Sequence, residues 1–167
     1  MTDLPFSLAL ERPEDAVAIE RLNERAFGPG RFARTAYRLR EGGGHDLALS
    51  FIARVGTLLV GSNRMTPVNC GEGRALLLGP LTVEPEFRAR GIGRALVEAS
   101  HHAARGAGHE LCLLVGDEPY YGRLGYRRAP PGRFQMPGPV DPARLLMCEL
   151  QSGALEGRSG AIAALRV

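Results

Sequence analysis

Apolar residues recur along the chain with two periods, one of about two residues and one of about 3.6, which are typical of strands and helices. Alternating or continuously apolar runs predict strands at residues 6–11, 47–55, 57–68, 74–83, 110–115, 126–129 and 145–150. Apolar residues at helical spacing predict helices at 12–27, 32–41 and 94–105, and a short helix at 120–124. The interval 130–142 is rich in proline and glycine and is predicted to be a loop with a short strand at 134–136. The tail from Gln151 is predicted either to form a last strand or to stay loose.

The order of these elements indicates a fold class. One strand and two helices precede three strands, which are joined by tight turns at Val55-Gly56 and at 70–73 and therefore form an antiparallel meander. A helix–strand–helix–strand series follows. We therefore expect an α/β fold with a mixed, mostly antiparallel central sheet flanked by helices. Residues 1–167 are predicted to form a single domain, since no repeat, low-complexity tract or linker divides them.

The composition is that of a soluble globular protein, with 44% hydrophobic residues, 23% charged residues and a net charge of +3. The chain has no basic and aromatic patch, no apolar run of about 20 residues and no secretory-signal pattern at its N-terminus. We therefore expect a cytoplasmic protein with no nucleic-acid or membrane partner. The cysteines are widely spaced and odd in number, so they are expected to be reduced and buried, and no metal-ligand spacing is present. They are Cys70, Cys112 and Cys148.

The stretch 76–96 contains the clearest candidate for a functional site. It reads LLLGPLTVEPEFRARGIGRAL: a buried strand breaks at Pro85 and turns through two glycines into a helix N-terminus. Such a turn gathers unpaired backbone N–H groups, and the helix dipole adds positive charge, so the site suits a phosphate. The neighbouring guanidinium groups add full positive charges; they belong to Arg88, Arg90 and Arg94. The sequence therefore predicts a site for a phosphorylated ligand.

The same turn excludes two common nucleotide motifs. Leu96 stands where a dinucleotide fingerprint needs its third small residue, and no Lys-Ser/Thr pair forms a Walker loop. The pattern Arg88-x-x-Gly91-x-Gly93 instead resembles the (Gln/Arg)-x-x-Gly-x-(Gly/Ala) signature of the GNAT superfamily of N-acetyltransferases. The resemblance implies acetyl-CoA as cosubstrate, with its pyrophosphate on the loop amides and its pantetheine arm along the preceding strand. The implied cofactor-binding residues are Leu81, Thr82, Val83, Arg88, Ala89, Arg90, Gly91, Ile92, Gly93 and Arg94.

A second motif lies at residues 119–126, PYYGRLGY. It resembles the aromatic-Tyr-x-(Arg/Lys)-(Leu/Phe)-Gly-(Phe/Tyr) segment of the same family, and most closely that of bacterial predicted N-acetyltransferases with a Gly-Asp-Pro-x-Tyr-Tyr stretch. This chain has Glu118-Pro119 where that group has Pro-x, so the proline sits one place later. The resemblance implies that Tyr121 lies beside the thioester sulfur and acts as general acid for the departing thiolate. Tyr120 is expected to belong to the core.

The resemblance implies direct attack of a primary amine on the thioester in a ternary complex. A backbone N–H near the strand end at Val83 would stabilise the oxyanion. A base must deprotonate the amine. Glu84 is the candidate, although a plain charge at a strand terminus explains it equally well; Glu41 is a second candidate. His45 is ambiguous, and two further histidines are expected to be surface or packing residues, namely His101 and His102.

Two alternatives and the acceptor stay open. A module that binds CoA or acyl-CoA without turnover, or a transferase for a longer acyl group, would share the phosphate loop. The acceptor is an amine of unknown identity. The first two helices and the loop 42–45 are expected to flank its cleft, and a basic second helix predicts an acidic group on it. That helix and its approach carry Arg31, Arg34, Arg38 and Arg40. A homodimer is a further expectation from the resemblance.

Overall fold

The computed structural model describes residues 5–28, 39 and 44–165. Its longer helices are α1 at Ala16–Phe27 and α2 at Ile92–Gly106, and a single turn of helix, α3, spans Glu118–Tyr121. The strands of the meander are β2 at Phe51–Val55, β3 at Leu58–Cys70 and β4 at Gly73–Val83. The remaining strands are β1 at Ser7–Leu10, β5 at Leu111–Val115, β6 at Arg127–Arg128, β7 at Phe134–Gln135, β8 at Leu145–Glu149 and β9 at Gly160–Ala164.

The strands form a sheet in the order β1-β2-β3-β4-β5-β8-β6. Neighbours along this path are antiparallel except for β4 and β5, which are parallel. Strand β9 pairs with β3 and with β7, so the tail from Gln151 does contribute a last strand. The predicted fold class, a mixed and mostly antiparallel sheet flanked by helices, is confirmed.

Helix α1 covers one face of the sheet, and the turn that precedes it begins at the proline that the sequence marks as a helix start. Pro13 opens a 3-10 turn ahead of it, and the Asp15 carboxylate accepts the Arg12 N–H at 2.9 Å and a bond from Arg54 Nη2 at 2.6 Å. Ile19 and Leu22, three residues apart on one helical face, are fully buried. These contacts hold α1 in place against the sheet.

Helix α2 packs on the opposite face. Leu96 and Val97 are fully buried there, and the apolar residues on this side belong to clusters that join α2 to the meander and to β5. A third cluster lies on the α1 side and includes Leu77, Leu113 and Met147. The sheet therefore has a core on each face, which is why β5 and residues 75–78 of β4 are continuously apolar.

The sheet opens between its parallel strands. Strands β4 and β5 pair only at Leu76 with Cys112 and at Leu77 with Leu113. Strand β4 nevertheless continues to Val83 and β5 to Val115, so the two separate beyond the paired residues. On its other edge β4 stays paired with β3 as far as Val83. The separation leaves one edge of β4 facing a gap in the sheet.

A side-chain turn shortens one of the predicted strands. The strand predicted at 47–55 starts only at Phe51. The reason is a turn at Asp46, whose Oδ1 accepts the Ala48 N–H at 2.9 Å and whose carbonyl accepts the Ser50 hydroxyl at 2.7 Å. The helix predicted at 32–41 lies outside the described residues except for Leu39, which is buried. The cysteines are free and buried, as predicted.

Within the described ranges, no helix is both long and apolar enough to cross a membrane. Nor do the described His, Cys, Asp and Glu side chains form a group of three that could hold a metal ion.

Candidate active site

The described residues enclose a cavity of about 1390 Å³ at the gap between β4 and β5. Its walls come from β4, from the loop and first turn of α2, and from the segment that joins β5 to α3. Side chains of α1 and β3 close the other side. We name two ends of the cavity. The glycine-loop end is lined by residues 87–89 and 91–94, and the α1 end by Glu20, Asn23, His45, Arg64 and Thr66.

At the glycine-loop end, the N-terminus of α2 is open to the cavity. Gly91 is the N-cap with φ of 83°, and the helical ladder starts with the Ala95 N–H bonded to the Gly91 carbonyl at 3.0 Å. None of the described side chains caps this terminus. The preceding N–H groups and the helix dipole therefore form a site with the charge and geometry for a phosphate.

The loop backbone is strained where it meets this terminus. Ala89 has φ of 63°, a left-handed conformation that costs a non-glycine residue about 1 kcal/mol. Strain of this kind is concentrated at ligand sites. Gly93 is needed for a different reason, since a Cβ there would overlap the Tyr120 hydroxyl. The spacing of the loop glycines identified them in the sequence, whereas nothing in the sequence indicated that Ala89 is strained.

The open edge of β4 at residues 81–83 borders the same cavity. Its other edge is paired with β3 through Asn63, Ser62 and Gly61. Thr82 Oγ1 donates to Asn23 Oδ1 at 2.6 Å, and both residues are buried, which ties the strand to α1. A free strand edge of this kind can pair with an extended ligand through backbone bonds alone.

The three arginines near the loop differ in position. Arg88 and Arg94 line the cavity; Arg88 Nε donates to the Val83 carbonyl at 3.2 Å, and Arg94 Nε to Glu98 at 2.9 Å. The Arg90 guanidinium instead lies 5.4 Å from the Phe87 ring centre, and Arg90 is not among the described residues that line the cavity. The structure therefore brings nine of the ten predicted cofactor residues to the cavity and leaves Arg90 beside it.

The two tyrosines of α3 take different positions. The Tyr121 ring contacts Tyr126 edge-on at 6.0 Å between centres, is partly buried and lines the cavity. Gly116 makes room for it, because a Cβ there would lie 2.5 Å from Tyr121 Cε2. Tyr120, by contrast, is 46% exposed, so its predicted place in the core is wrong. Neighbouring helical residues point about 100° apart, so only one of the pair can pack inward. Burial of part of its ring still raises the pKa of Tyr120.

Glu84 is not brought to the cavity. Its Oε1 accepts bonds from Arg25 Nη2 at 2.8 Å and Nε at 3.0 Å, and its own N–H bonds the Val60 carbonyl. It is not one of the described residues that line the cavity with Tyr121. Glu41 and the four arginines of the predicted second helix lie outside the described residues.

The α1 end contains a charged group that sequence reasoning missed. Glu11 is 3% exposed and its carboxylate bonds Arg64 twice, at 3.0 Å to Nε and 3.2 Å to Nη2. His45 Nε2 lies 2.8 Å from Glu11 Oε2, and Arg64 also pairs with Glu20 at 3.4 Å. Burial raises the pKa of Glu11, but the bonds from His45 and Arg64 outweigh it and leave that pKa lowered. The one sequence signal was Arg64 itself, a charge in the middle of a predicted strand.

A buried hydroxyl lies near this charged group. Thr66 is fully buried and lines the cavity, and its Oγ1 has no hydrogen-bond partner among the described residues. A buried polar atom without a partner is costly, so such a group in a cavity wall is a candidate contact for a ligand.

Comparisons with known proteins agree with this geometry. The family model of the acetyltransferase (GNAT) domain matches residues 46–128. The chain is 27% identical over 157 residues to the uncharacterized N-acetyltransferase YhbS of Escherichia coli K12, which covers 93% of each chain. It is 31% identical over 130 residues to the uncharacterized N-acetyltransferase YjhQ of the same strain, covering 75% of this chain and 72% of YjhQ.

Solved structures show the same fold. The crystal structure of E. coli YhbS in complex with CoA superposes with a TM-score of 0.84 at 24% identity, covering 99% of this chain and 92% of YhbS. A GNAT family acetyltransferase from Brucella melitensis in complex with acetyl-CoA superposes with a TM-score of 0.61 at 25% identity, covering 92% of this chain and 99% of that one.

Proposed function

Because the chain belongs to the GNAT family of N-acetyltransferases, we propose that it transfers the acetyl group of acetyl-CoA to a primary amine by direct attack in a ternary complex. The observation that carries this proposal is the placement, in one cavity, of an uncapped helix N-terminus and an open strand edge. The first suits a pyrophosphate and the second suits an extended amide-bearing arm. CoA carries both groups on one molecule.

In this proposal the cosubstrate lies along the glycine-loop end. The N–H groups of Ile92, Gly93 and Arg94 bind the pyrophosphate, with Arg88 and Arg94 beside it. The backbone at 81–83 pairs with the pantetheine arm. The complexes of YhbS with CoA and of the Brucella enzyme with acetyl-CoA support this assignment, since both share the fold of this chain.

Tyr121 is the proposed proton donor to the departing thiolate. It lies four residues before Gly125, as the family motif requires, and its ring is held between Gly116 and Tyr126 at the cavity wall. A rigidly placed phenol beside the sulfur stabilises the leaving group at the moment its charge develops. A backbone N–H near Val83 is the proposed donor to the oxyanion.

The proposed acceptor is a primary amine that enters from the α1 end. Glu84 is not assigned as its base, because its carboxylate is paired with Arg25 and it is not among the described residues that line the cavity. The acidic-acceptor hypothesis rests on arginines outside the described residues and stays a prediction, as does the homodimer.

Two measurements test the proposed function. Calorimetry should show binding of acetyl-CoA, and a thiol-release assay with a panel of primary amines should show acetyl-dependent turnover. Tyr121→Phe should keep the affinity for acetyl-CoA and lower kcat about a hundredfold. Tyr120→Phe, which removes a hydroxyl from the same cavity but not from the motif position, should keep most of kcat.

Binding without release of thiol in the presence of any amine would favour the non-catalytic CoA-binding alternative. Faster release from a longer acyl-CoA would favour the acyl-chain alternative. Absence of binding by the folded chain would contradict the proposed function as a whole.

A further inference from the structure

At the α1 end of the cavity, a histidine is bonded to a buried carboxylate. His45 lines the cavity with 26% of its side chain exposed, whereas the Glu11 side chain is 1% exposed. We propose that His45, oriented by Glu11, is the base that takes a proton from the acceptor amine. This inference rests on the acetyl transfer proposed above, and it assigns the step for which Glu84 is badly placed.

The bond to Glu11 determines which nitrogen of the His45 ring can accept a proton. Glu11 bonds the Arg64 guanidinium through both oxygens, and its lowered pKa keeps it ionised near neutral pH. An ionised carboxylate has no proton to donate, so the 2.8 Å bond requires the hydrogen to be on His45 Nε2. Neutral His45 therefore carries its lone pair on Nδ1, where it can accept a proton.

Backbone pairing relates the position of His45 to the gap in the sheet. The N–H of the next residue, Asp46, bonds the Met65 carbonyl at 2.8 Å, and Met65 pairs with Leu78 of β4. Leu78 directly follows the last residue of β4 that pairs with β5. His45 thus lies two strands' width from the point where the sheet opens and where the cavity begins.

Several charged groups lie at this end of the cavity. Glu11, after β1, contacts the His45 ring, and it is linked through Arg64 on β3 to Glu20 on α1. Asp46 adjoins His45 in the sequence. Carboxylates outnumber guanidinium groups in this set. An excess of negative charge attracts an ammonium group to this end of the cavity.

Thr66 adds a polar contact for the amine. It follows Met65 on β3, its hydroxyl is buried without a partner among the described residues, and it lines the same cavity as His45. A hydroxyl oxygen can accept a hydrogen bond from an amine. The incoming nitrogen therefore has an acceptor at Thr66 and a base at His45.

The proton balance of the step is complete. An acceptor ammonium loses one proton to His45 Nδ1, and the neutral amine then attacks the thioester carbon. The carbon–nitrogen bond forms, the carbon–sulfur bond breaks, and the thiolate takes the Tyr121 proton. The second proton lost by the nitrogen replaces the one that Tyr121 gave. His45 releases its proton to water, so one proton is released per acetyl transferred.

The tautomer of His45 is measurable without any acceptor. Nitrogen-15 NMR of the full chain should show the His45 Nε2–H tautomer when the ring is neutral, assigned by its loss in His45→Ala. Glu11→Gln should weaken that preference. A ring with its proton on Nδ1 would overturn the proposal, because no lone pair would then be free of the Glu11 bond.

Kinetics separates a base from a residue that only orients other groups. With an alkyl amine of pKa about 10, His45→Ala should lower kcat/KM about a hundredfold near neutral pH. The loss should shrink steadily as the pH rises toward the amine's own pKa, because the amine then needs no base. The affinity for acetyl-CoA should not change. His102→Ala, an exposed histidine on α2, is the matched control and should behave as the parent chain.

A loss of the same factor at every pH would show that His45 has a structural role only. Full activity of His45→Ala at neutral pH would overturn the proposal while leaving acetyl transfer intact. If the parent chain bound acetyl-CoA but acetylated no amine, the proposed function would fail and this inference with it.

Discussion

The two ends of the cavity present different chemical groups. The glycine-loop end presents mainly backbone groups, namely the N-terminus of α2 and the free edge of β4, and its charged side chains lie at the surface. The α1 end presents side chains, among them the buried Glu11 carboxylate with Arg64 and His45. A short contiguous stretch forms the first end, whereas residues far apart in the sequence form the second.

This difference indicates a division of labour. Backbone donors recognise a phosphate and an amide arm whatever the acyl group or acceptor, so they suit the cosubstrate that all family members share. Buried side-chain charges are costly to keep and are retained where they are bonded or where they act. The α1 end is therefore where this chain is expected to be selective and where its proton chemistry is expected to lie.

The largest predicted difference between the two ends is the effect of their ion pairs on the free energy of unfolding. The Arg64 and Glu11 side chains are 12% and 1% exposed, whereas those of Arg94 and Glu98 are 62% and 61% exposed. Arg64→Met leaves the buried carboxylate with His45 alone and should lower the free energy of unfolding by about 3 kcal/mol. Arg94→Met should change it by less than about 0.5 kcal/mol. Urea denaturation of both variants measures the difference, and equal losses would remove the contrast between the ends.

A pH titration tests whether the surroundings, rather than the residue type, set the role of a histidine. His101 is buried on α2, where its Nε2 lies 2.8 Å from the Tyr126 hydroxyl. Burial, with Arg105 adding to it, lowers the pKa of His101 from 6.5 to about 4. The unfolded chain therefore binds this proton at a higher pH than the folded chain does.

The free energy of unfolding should accordingly fall as the pH is lowered from about 6.5 to about 4, by about 3 kcal/mol from this residue. Below that range the residue should add no further loss. His101→Phe should flatten this part of the stability profile, whereas His102→Ala should not. Denaturation curves recorded across the range provide the test, and parallel profiles for the two variants would contradict it.

The smallest of these effects concerns the position of Tyr121, which lines the same cavity. A methyl group at Gly116 would meet Leu114 Cδ1 at 3.0 Å and Tyr121 Cε2 at 2.5 Å, so Gly116→Ala should displace the phenol. We expect kcat to fall about tenfold while the affinity for acetyl-CoA stays within about twofold, since misplacement of a catalytic group affects the chemical step. Gly122→Ala, with nothing within 4 Å of its Cβ, is the matched control. Equal kcat values for the two variants would mean that Tyr121 need not be held where it is.

The contrast between the ends also explains what the sequence could and could not predict. The turn from β4 into α2 is local, so Arg88, Gly91 and Gly93 identify it from their spacing alone. The strand and helix order predicted the fold class for the same reason. The acceptor group is not local: Glu11, His45 and Arg64 come together only when β1, the Asp46 turn and β3 pack, and no spacing connects them.

Two errors have similar causes. A continuous apolar run suggested that a strand begins at residue 47, but the Asp46 side chain forms a turn that delays it to Phe51. Tyr120 and Tyr121 are consecutive residues of the same type, so only the direction of α3 decides which ring packs inward. In both cases a side chain's orientation overrides the hydrophobic pattern.

Calorimetric titration of acetyl-CoA into two glutamate variants would probe the phosphate site itself. Gly91 and Gly108 lie at opposite ends of α2 with φ of 83° and 87°, and a Cβ at either meets nothing within 4 Å. The two substitutions therefore carry the same backbone strain, and only Gly91→Glu places a negative charge beside the uncapped N–H groups. We expect Gly108→Glu to bind like the parent chain and Gly91→Glu to bind at least about a hundredfold more weakly, because the helix terminus favours anions that the new carboxylate would repel or replace. Equal binding by the two variants would mean that the cosubstrate does not use the N-terminus of α2.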